Sequence, residues 1–402
     1  MKQISGGVCA AKGFKAAGIS CGIRKKGRKD LALIVSEAKA AAAGVYTQNL
    51  VKGAPIIVTQ NNIADGYASA IIVNSGNANT CNANGVEIAQ GMCDLVTQHT
   101  GIPAGDVAVA STGVIGQPLS LAPIANGMEA LVAALGDNST DAATAILTTD
   151  LALKELALEF TLGGKPCKIG GIAKGSGMIH PNMATMLVFV TTDAAITPQM
   201  LKKALNWCIE DTFNMISVDR DTSTNDTMLV LANSMAENPL INEESQDYEV
   251  FKAALFEISS QLCRCIAKDG EGATKLLECT VSGAASKEAA RAIAKSVICS
   301  PLLKCAMFGA DANWGRVLCA LGYAGAQVDV SKVCVSFVSA AGEISVCENG
   351  GGVPFSEEKA KEILSADEII IKIELADGSG NATAYGCDLS YDYVKINGDY
   401  RS

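Results

Sequence analysis

Residues 186–190, MLVFV, form a run in which every side chain is apolar. A strand with this pattern buries both of its faces, which happens inside a sheet that is covered on both sides. Other strand-like runs at residues 68–73, 107–111 and 228–232 alternate along the chain with amphipathic, helix-like stretches such as residues 86–99. This alternation predicts an α/β protein.

Two later helices have clear start signals. Thr197 stands in the N-cap position ahead of Pro198, which suits the first turn of a helix, and Ser286 stands in the same position ahead of KEAARAIAKSVI. From about Val333 the patterns run strand, helix, strand, strand, and the last predicted strand covers residues 391–396. That order predicts a smaller α+β domain, and we place the division near residue 283, between domains 1–283 and 284–402.

Composition excludes several classes of protein. With 402 residues, 49% hydrophobic and 18% charged side chains, the chain can bury large cores. The net charge is −10 and the cations are scattered, so no basic face for nucleic acid is expected. The short basic run at residues 24–29 is interpreted as a solvated loop, with an anion site as the alternative.

Fifteen cysteines raise the question of disulfides or metal. They contain no C-x-x-C motif, and only two histidines are present, so no zinc-site spacing exists. The N-terminus lacks a secretory core and no long uncharged apolar span occurs, which predicts a cytoplasmic protein with no membrane segment. Most cysteines are therefore expected to be reduced and to serve as small core residues.

The pair Ala184–Thr185, at the entrance to the apolar run, has two interpretations. A threonine entering a strand after the turn-forming HPN is ordinary β-chemistry. Alternatively, Thr185 is a latent N-terminal nucleophile whose hydroxyl attacks the carbonyl of Ala184. Cleavage would then leave an α-amine with a pKa of about 8 to act as base for its own hydroxyl.

The segment GISCG at residues 18–22 matches the G-x-S-x-G pattern of hydrolase nucleophile elbows. Its context argues against that role, because no strong strand is predicted before it and the only histidines downstream are His99 and His180.

Long motifs along nearly the whole chain resemble the glutamate N-acetyltransferase (ornithine acetyltransferase) family of arginine biosynthesis. They are GVCAAKGFKAAGISCGIRKKGRKDLALIVS, NSGNANTCN, VASTGVIG, LTTD, GIAKGSGMIHPNMATML, VDRDTSTND, AKDGEGATK, FGADANWGR and YVKINGDYRS. The resemblance favours the nucleophile interpretation of Thr185. It implies that the chain cuts itself between Ala184 and Thr185 into an alpha chain, 1–184, and a beta chain that starts at 185.

The resemblance also implies roles for other residues. Thr112 and Gly113 of STGVIG correspond to the oxyanion hole, whose donors stabilise the tetrahedral intermediate, although a plain turn is the alternative for such a pair. The implied substrate contacts are Thr148, Lys174, Thr185, Glu271, Asn397 and Ser402. Lysine, hydroxyl and amide side chains can bind the carboxylate of an amino-acid substrate, and a glutamate side chain can bind its ammonium. A structural ion pair is the alternative for Lys174 and Glu271.

The implied fold is a layered α-β-β-α core of the N-terminal-nucleophile type with a smaller C-terminal α+β domain. The implied reaction moves acetyl from N2-acetyl-L-ornithine to L-glutamate through acetyl-Thr185, without metal or bound cofactor, in a heterotetramer of two alpha and two beta chains. Some members of the family also take acetyl-CoA as donor. Two alternatives stay open: an N-terminal-threonine aminopeptidase or amidase, and an uncleaved binding protein.

Two positions depart from the family pattern as we expect it. Arg220 stands where glycine is expected, and its side chain is expected to pair with Asp219 or Asp221. Ser402 stands where threonine is common but keeps a hydroxyl. For the segment FGADANWGR, a site role for Asp311, Asn313 and Arg316 and a helix-start turn capped by the aspartate are equally compatible with the sequence. The C-terminal NGDYRS is expected to be ordered at the site.

Overall fold

The structure, a computed structural model, describes residues 1–24, 27–180 and 186–398. Its strands are β1 (Lys2–Ile4), β2 (Phe14–Ile19), β3 (Leu31–Tyr46), β4 (Tyr67–Asn77), β5 (Val107–Val114), β6 (Lys154–Leu162), β7 (Lys165–Lys174), β8 (Leu187–Thr192), β9 (Ile216–Ser217), β10 (Thr227–Ala232), β11 (Leu276–Ala284), β12 (Cys334–Ser339), β13 (Gly342–Glu348), β14 (Gly351–Gly352), β15 (Glu368–Glu374) and β16 (Gly380–Cys387). Its helices are α1 (Ala54–Asn62), α2 (Gly85–Thr100), α3 (Ala122–Ala133), α4 (Ser139–Ala145), α5 (Pro198–Glu210), α6 (Gln246–Lys268), α7 (Lys287–Ile298), α8 (Pro301–Phe308), α9 (Trp314–Gly322), α10 (Glu357–Leu364) and α11 (Tyr391–Gly398).

The first sheet joins nine strands of the described chain. Eight follow the order β1-β6-β7-β8-β10-β3-β4-β5, and β2 pairs with β3. The parallel pairs β4/β5 and β8/β10 are connected through α2 and α5, as parallel strands require. The long strand β3 pairs with β2 and β4 and also, through its last residues, with β10, so it belongs to both halves of the sheet.

The two halves of this sheet share one buried core. Ile34 and Ile71 from one half and Phe189 and Leu229 from the other belong to the same apolar cluster. The opposite face of the first half packs against α1–α3, and that of the second half packs against α5 and α6. The resulting order of layers is α-β-β-α, which confirms the predicted fold class.

Strand β8 lies between two of these cores. All six of its residues are buried, with Phe189 on the inner core and Val188 and Val190 on the core beneath α5 and α6. The predicted internal strand at residues 186–190 is therefore confirmed.

A second sheet follows the order β14-β13-β12-β15-β11-β16-β9. Helix α7 packs on one of its faces, while α6 contacts β11 and β16 as well as β6 and β7 of the first sheet. Helix α6 thus connects the two sheets. Strand β9 joins this sheet from much earlier in the chain, and the division near residue 283 stays a prediction.

The predicted helix starts are confirmed. The Thr197 hydroxyl accepts a hydrogen bond from the Met200 N–H at 3.4 Å at the start of α5. The Ser286 hydroxyl accepts one from the Ala289 N–H at 3.1 Å at the start of α7. Both caps satisfy an N–H that has no partner inside the helix.

The predicted strand at residues 391–396 is wrong, because this segment forms α11. The Ser390 hydroxyl caps its start by accepting from the Asp392 N–H at 3.2 Å. Tyr391 and Val394 are 85% and 72% exposed, so their apolar side chains are not packed inside a sheet. The last strand of the second sheet is instead β16, which the sequence analysis omitted.

The expectation that no strand precedes GISCG is also wrong, since β2 ends at Ile19. In the described residues after Ser20, however, no α-helix begins before α1 at Ala54. The strand-to-helix turn that a nucleophile elbow requires is thus absent from this part of the structure.

The cysteines are all unpaired, and eight of the fifteen are buried, whereas Cys81, Cys305 and Cys319 are exposed. Within the described ranges, no cluster of three potential metal ligands occurs. Across those same ranges, no helix is both long and apolar enough to cross a membrane.

Candidate active site

A cleft lies where the ends of β5 and β7 meet the loop before β10 and helix α11. Six of the residues predicted for the site line it: Thr112, Gly113, Thr148, Lys174, Glu271 and Asn397. A smaller pocket shares Thr112 and Lys174 with the cleft and extends to Met186 and Asp226. The predicted Ala184, Thr185 and Ser402 lie outside the described residues.

Thr112 and Gly113 occupy the end of β5, where it pairs with Ser75 and Gly76 of β4. Gly113 has φ +132°, and a Cβ there would lie 2.3 Å from the carbonyl carbon of Gly76. Any other residue would therefore push the two strands apart, so glycine is required at this position. The pair is part of a paired strand end rather than a free turn.

Lys174 is the last residue of β7 and lies at the floor of the cleft. Its ammonium donates to the Thr112 hydroxyl oxygen at 3.4 Å, and the two residues are 9% and 8% exposed. Lys174 and Glu271 are both described, and no ion pair joins them. The ion-pair alternative for these two residues is therefore wrong.

A buried carboxylate fixes the chain directly after Lys174 and also the loop that carries Thr148. Asp150 accepts from the Gly175 N–H at 2.7 Å and from the Thr148 N–H at 3.0 Å. It also forms an ion pair with Lys154 at 2.8 Å. Although burial alone would raise the pKa of Asp150, the charges of Lys174 and Lys154 and these hydrogen bonds lower it, so the carboxylate is ionised at neutral pH.

The same network continues to the loop that carries Glu271. Lys154 is 1% exposed and forms a second ion pair, at 2.5 Å, with Asp269. The carbonyl of Asp269 accepts from the Ser176 hydroxyl at 2.7 Å, and the Glu271 N–H donates to the Ser176 carbonyl at 3.0 Å. The loops bearing Thr148, Lys174 and Glu271 are thus tied together by one buried polar network.

Glu271 receives a hydrogen bond from helix α11. The Asn397 side-chain amide donates to the Glu271 carboxylate at 2.8 Å and to the Tyr393 carbonyl at 3.0 Å. A Cβ at Gly177 would lie 2.3 Å from the same carboxylate, so this glycine leaves the space that Glu271 occupies. Glu271 itself is 9% exposed, which suits a residue that pairs with a buried ligand cation.

Arg24 is a site-forming residue that the sequence analysis missed. Its guanidinium donates to the carbonyls of Leu147 at 2.7 Å and Thr148 at 3.0 Å. The Asp30 carboxylate accepts from the Arg24 N–H at 2.8 Å, and a Cβ on Gly76 would meet the Arg24 side chain. At this residue, the basic run therefore supports the cleft rather than forming a solvated loop; Lys25 and Lys26 lie outside the described residues.

Asn225 is a second residue that was missed, although its motif VDRDTSTND was recognised. Its amide donates to the carbonyls of Ala78 at 2.6 Å and Ser111 at 3.0 Å. Its side-chain oxygen accepts from the hydroxyls of Thr80 and Thr224, each at 2.6 Å. Asn225 thereby joins the loop before β10 to the ends of β4 and β5 beside the oxyanion pair.

The segment that leads toward the predicted cut is held by Asp219. Its carboxylate accepts from the N–H groups of Met178 at 2.7 Å and Ile179 at 2.8 Å. The Tyr393 hydroxyl donates to the same carboxylate at 3.2 Å. Burial and this carboxylate raise the pKa of Tyr393, so its hydroxyl keeps its proton and connects α11 to the segment.

His180 is the last described residue before the predicted cut. Its Nδ1 lies 3.0 Å from the Ser217 hydroxyl and 3.5 Å from the Cys299 thiol. Burial, together with the positive charges of Lys295 and Arg220, lowers the pKa of His180 to about 4. The imidazole is therefore neutral at physiological pH.

Arg220 has φ +72°, in the left-handed region where glycine is preferred. The loop therefore keeps the backbone conformation that glycine would favour, with an exposed arginine in its place. The expected pairing is wrong: within the described chain, no ion pair joins Arg220 to Asp219 or Asp221.

The segment FGADANWGR lies away from the cleft lining. The Asn313 side chain accepts from the Arg316 N–H at 3.3 Å and caps α9. Asp311 accepts from the Asn313 amide at 3.0 Å. The structure therefore shows a capped helix start, but the cap is Asn313 and not the predicted aspartate.

Known proteins resemble this chain in sequence and in structure. Residues 15–402 match the ArgJ family. The chain is 51% identical to arginine biosynthesis bifunctional protein ArgJ 1 of Clostridium acetobutylicum, over 97% of this chain and 96% of that protein. It is 48% identical to the ArgJ protein of Bacillus subtilis, over 100% and 98%. Among solved structures, that of the Bacillus halodurans ArgJ protein matches with a TM-score of 0.52 and 45% identity, over 54% of this chain and 100% of that chain.

Proposed function

Because this chain belongs to the ArgJ family, we propose that it transfers acetyl from N2-acetyl-L-ornithine to L-glutamate through an acetylated Thr185. The chain is thus a glutamate N-acetyltransferase of arginine biosynthesis, and its relatives are named as bifunctional proteins of that pathway. The observation that carries the proposal is the meeting in one cleft of six predicted residues that lie between positions 112 and 397.

The first step is self-cleavage. The Thr185 hydroxyl attacks the carbonyl carbon of Ala184, the acyl group shifts from nitrogen to oxygen, and water hydrolyses the ester. The products are a carboxylate on Ala184 and a free α-amine on Thr185. With a pKa of about 8, this amine can take the proton of its own hydroxyl.

The second step is acetyl transfer. The Thr185 hydroxyl attacks the acetyl carbon of N2-acetyl-L-ornithine, and ornithine leaves as the amine after taking a proton. The amine of glutamate then attacks the acetyl ester, which gives N-acetylglutamate and restores the hydroxyl. Each step passes through a tetrahedral oxyanion, for which Thr112 and Gly113 are the proposed donors.

The charges in the cleft suit both amino acids. Lys174 can hold a carboxylate, and Glu271, supported by Asn397, can hold an ammonium. We propose Thr148 and Ser402 as further contacts. Because Thr185 provides both nucleophile and base, the chemistry needs no metal or bound cofactor. Acetyl-CoA is proposed as a second donor, in keeping with an amino-acid N-acetyltransferase activity.

Support for cleavage comes from the length of a solved relative. The Bacillus halodurans chain is covered completely by this sequence but spans 54% of it. A fragment starting at Thr185 would contain 218 of the 402 residues, which is the same share. We further propose that the two fragments stay together as a heterotetramer of two alpha and two beta chains in the cytoplasm.

Initial-rate kinetics test the proposed transfer. Varying acetyl-ornithine and glutamate together should give parallel double-reciprocal lines, because the enzyme stays acetylated between the two half-reactions. Intersecting lines would contradict the acetyl-enzyme. Acetyl-ornithine without glutamate should give at most slow hydrolysis, since a transferase must exclude water; rapid hydrolysis unaffected by glutamate would identify an amidase instead.

A further inference from the structure

The contact between Lys174 and Thr112 has a direction that the donor chemistry fixes. An ammonium has only donors, so the Thr112 oxygen must accept at this 3.4 Å contact. A hydroxyl whose oxygen accepts still has its own hydrogen to donate. In the described ranges the Thr112 hydroxyl has no other hydrogen bond, so that hydrogen is available to the cleft that Thr112 lines.

Both partners of this contact are held firmly. Thr112 is fixed by the pairing of β5 with Ser75 and Asn77 of β4. Lys174 pairs with Leu187 of β8, and the next residue, Gly175, is bonded to Asp150. Neither side chain needs to order a loop before the contact forms.

The charge of Lys174 interacts with the buried carboxylate of Asp150, although no ion pair joins these two described residues. Asp150 is buried and lowers the cost of placing a cation here, as the mutual effect of Lys174 on the pKa of Asp150 indicates. Asp150 also forms an ion pair with Lys154, which in turn pairs with Asp269. Because no ion pair joins Lys174 to Glu271, which the structure also describes, the Lys174 ammonium stays in contact with the Thr112 hydroxyl and can polarise it.

We propose that Lys174 is a positioning residue for the oxyanion hole: its ammonium orients and polarises the Thr112 hydroxyl. This rests on the proposed function and adds to the proposed contact of Lys174 with substrate. The two roles differ in one respect. A substrate contact matters only when substrate is bound, whereas a polarised Thr112 also serves self-cleavage, which uses no substrate.

Self-cleavage therefore provides the test. Precursors made by cell-free synthesis are followed on denaturing gels, without acetyl-ornithine or glutamate. K174M and K174Q should cleave at least about tenfold more slowly than wild type, because a charge-assisted contact to an oxyanion donor is lost. K174R keeps a cation and should recover most of the rate. Cleavage of K174M and K174Q within threefold of the wild-type rate overturns the proposal.

A double mutant separates polarisation from a structural effect. In a Thr112→Ala background the hydroxyl is already gone, so adding K174M should change the cleavage rate by less than about twofold. An equal slowing in both backgrounds would show that Lys174 acts independently of Thr112 and would overturn the proposal. If K174M does not fold, the same cycle is completed with K174Q.

The matched control is K275M. Lys275 is also 9% exposed and donates to the Met307 carbonyl at 2.5 Å, away from the cleft lining. It should cleave at the wild-type rate, and slowing as large as that of K174M would contradict a specific effect. Failure of wild type to cleave would instead contradict the proposed function, so the two failures are distinguishable.

Discussion

The Asn397 side-chain amide donates to the Glu271 carboxylate at 2.8 Å, which joins the C-terminal helix to the acidic side of the cleft. The two residues are 126 positions apart. The same side-chain amide also donates to the Tyr393 carbonyl, which holds Asn397 in place. Glu271 is therefore oriented before substrate binds. This contact gives the first prediction.

Glu271→Gln should impair acetyl-ornithine use more than glutamate use. The glutamine oxygen can still accept from Asn397, so the variant removes mainly the charge that we propose to face the side-chain ammonium of ornithine. Loss of a charge-assisted hydrogen bond predicts a fall in kcat/KM of about tenfold or more for acetyl-ornithine. Separate half-reaction assays measure both substrates. Equal losses for both would place the carboxylate elsewhere.

Thr112→Ala should slow both self-cleavage and acetyl transfer. Each reaction forms an oxyanion, and removal of one donor costs about 10²-fold. Thr112→Ser keeps the hydroxyl and is the matched control, expected to retain most of both rates. Gel time courses and steady-state kinetics report the two reactions. Normal rates in the alanine variant would mean that Thr112 is only a structural residue.

Arg220→Gly should stabilise the protein. Its φ of +72° is strained for arginine and free of strain for glycine, so the expected gain is about 1 kcal/mol, reduced by the greater freedom of glycine in the unfolded chain. Arg220→Ala keeps the strain and is the control. Urea denaturation should show a higher midpoint for the glycine variant alone; a lower midpoint would contradict the backbone argument.

The lowered pKa of His180 predicts that the stability of the protein depends on pH. Its pKa falls from an ordinary value of about 6.5 to about 4 in the folded protein. A group with a lowered folded-state pKa contributes stability above its unfolded pKa and loses it as the pH falls toward the folded value. Wild type should therefore lose stability between about pH 6.5 and 4, and His180→Gln should lose less. Identical pH profiles would contradict this assignment.

The sequence predicted what local patterns encode. The caps at Thr197 and Ser286 and the buried strand β8 depend on neighbours within a few residues. Residues 391–396 were predicted as a strand from their aromatic and branched side chains. They form a helix whose start Ser390 caps, and the same hydroxyl donates to the distant Gly272 carbonyl at 2.5 Å, a contact that no local pattern encodes.

Residues whose contacts join distant parts of the chain could not be predicted from local sequence patterns. Arg24 supports the loop of Thr148 from 124 positions away, and Asn225 bonds Ala78 from 147 positions away. The resemblance to a family predicted the cleft residues but not the contact of Lys174 with Thr112. These two residues lie on β7 and β5, in different halves of the first sheet.

Intact mass spectrometry of the purified protein tests the central claim most directly. With acetyl-ornithine present and glutamate absent, wild type should give two fragments of 184 and 218 residues, whereas Thr185→Ala should remain one chain of 41.4 kDa. The fragment that begins at Thr185 should carry one added acetyl group, about 42 Da, which glutamate removes. An active, uncleaved wild type, or acetyl on a cysteine instead of Thr185, would contradict the account.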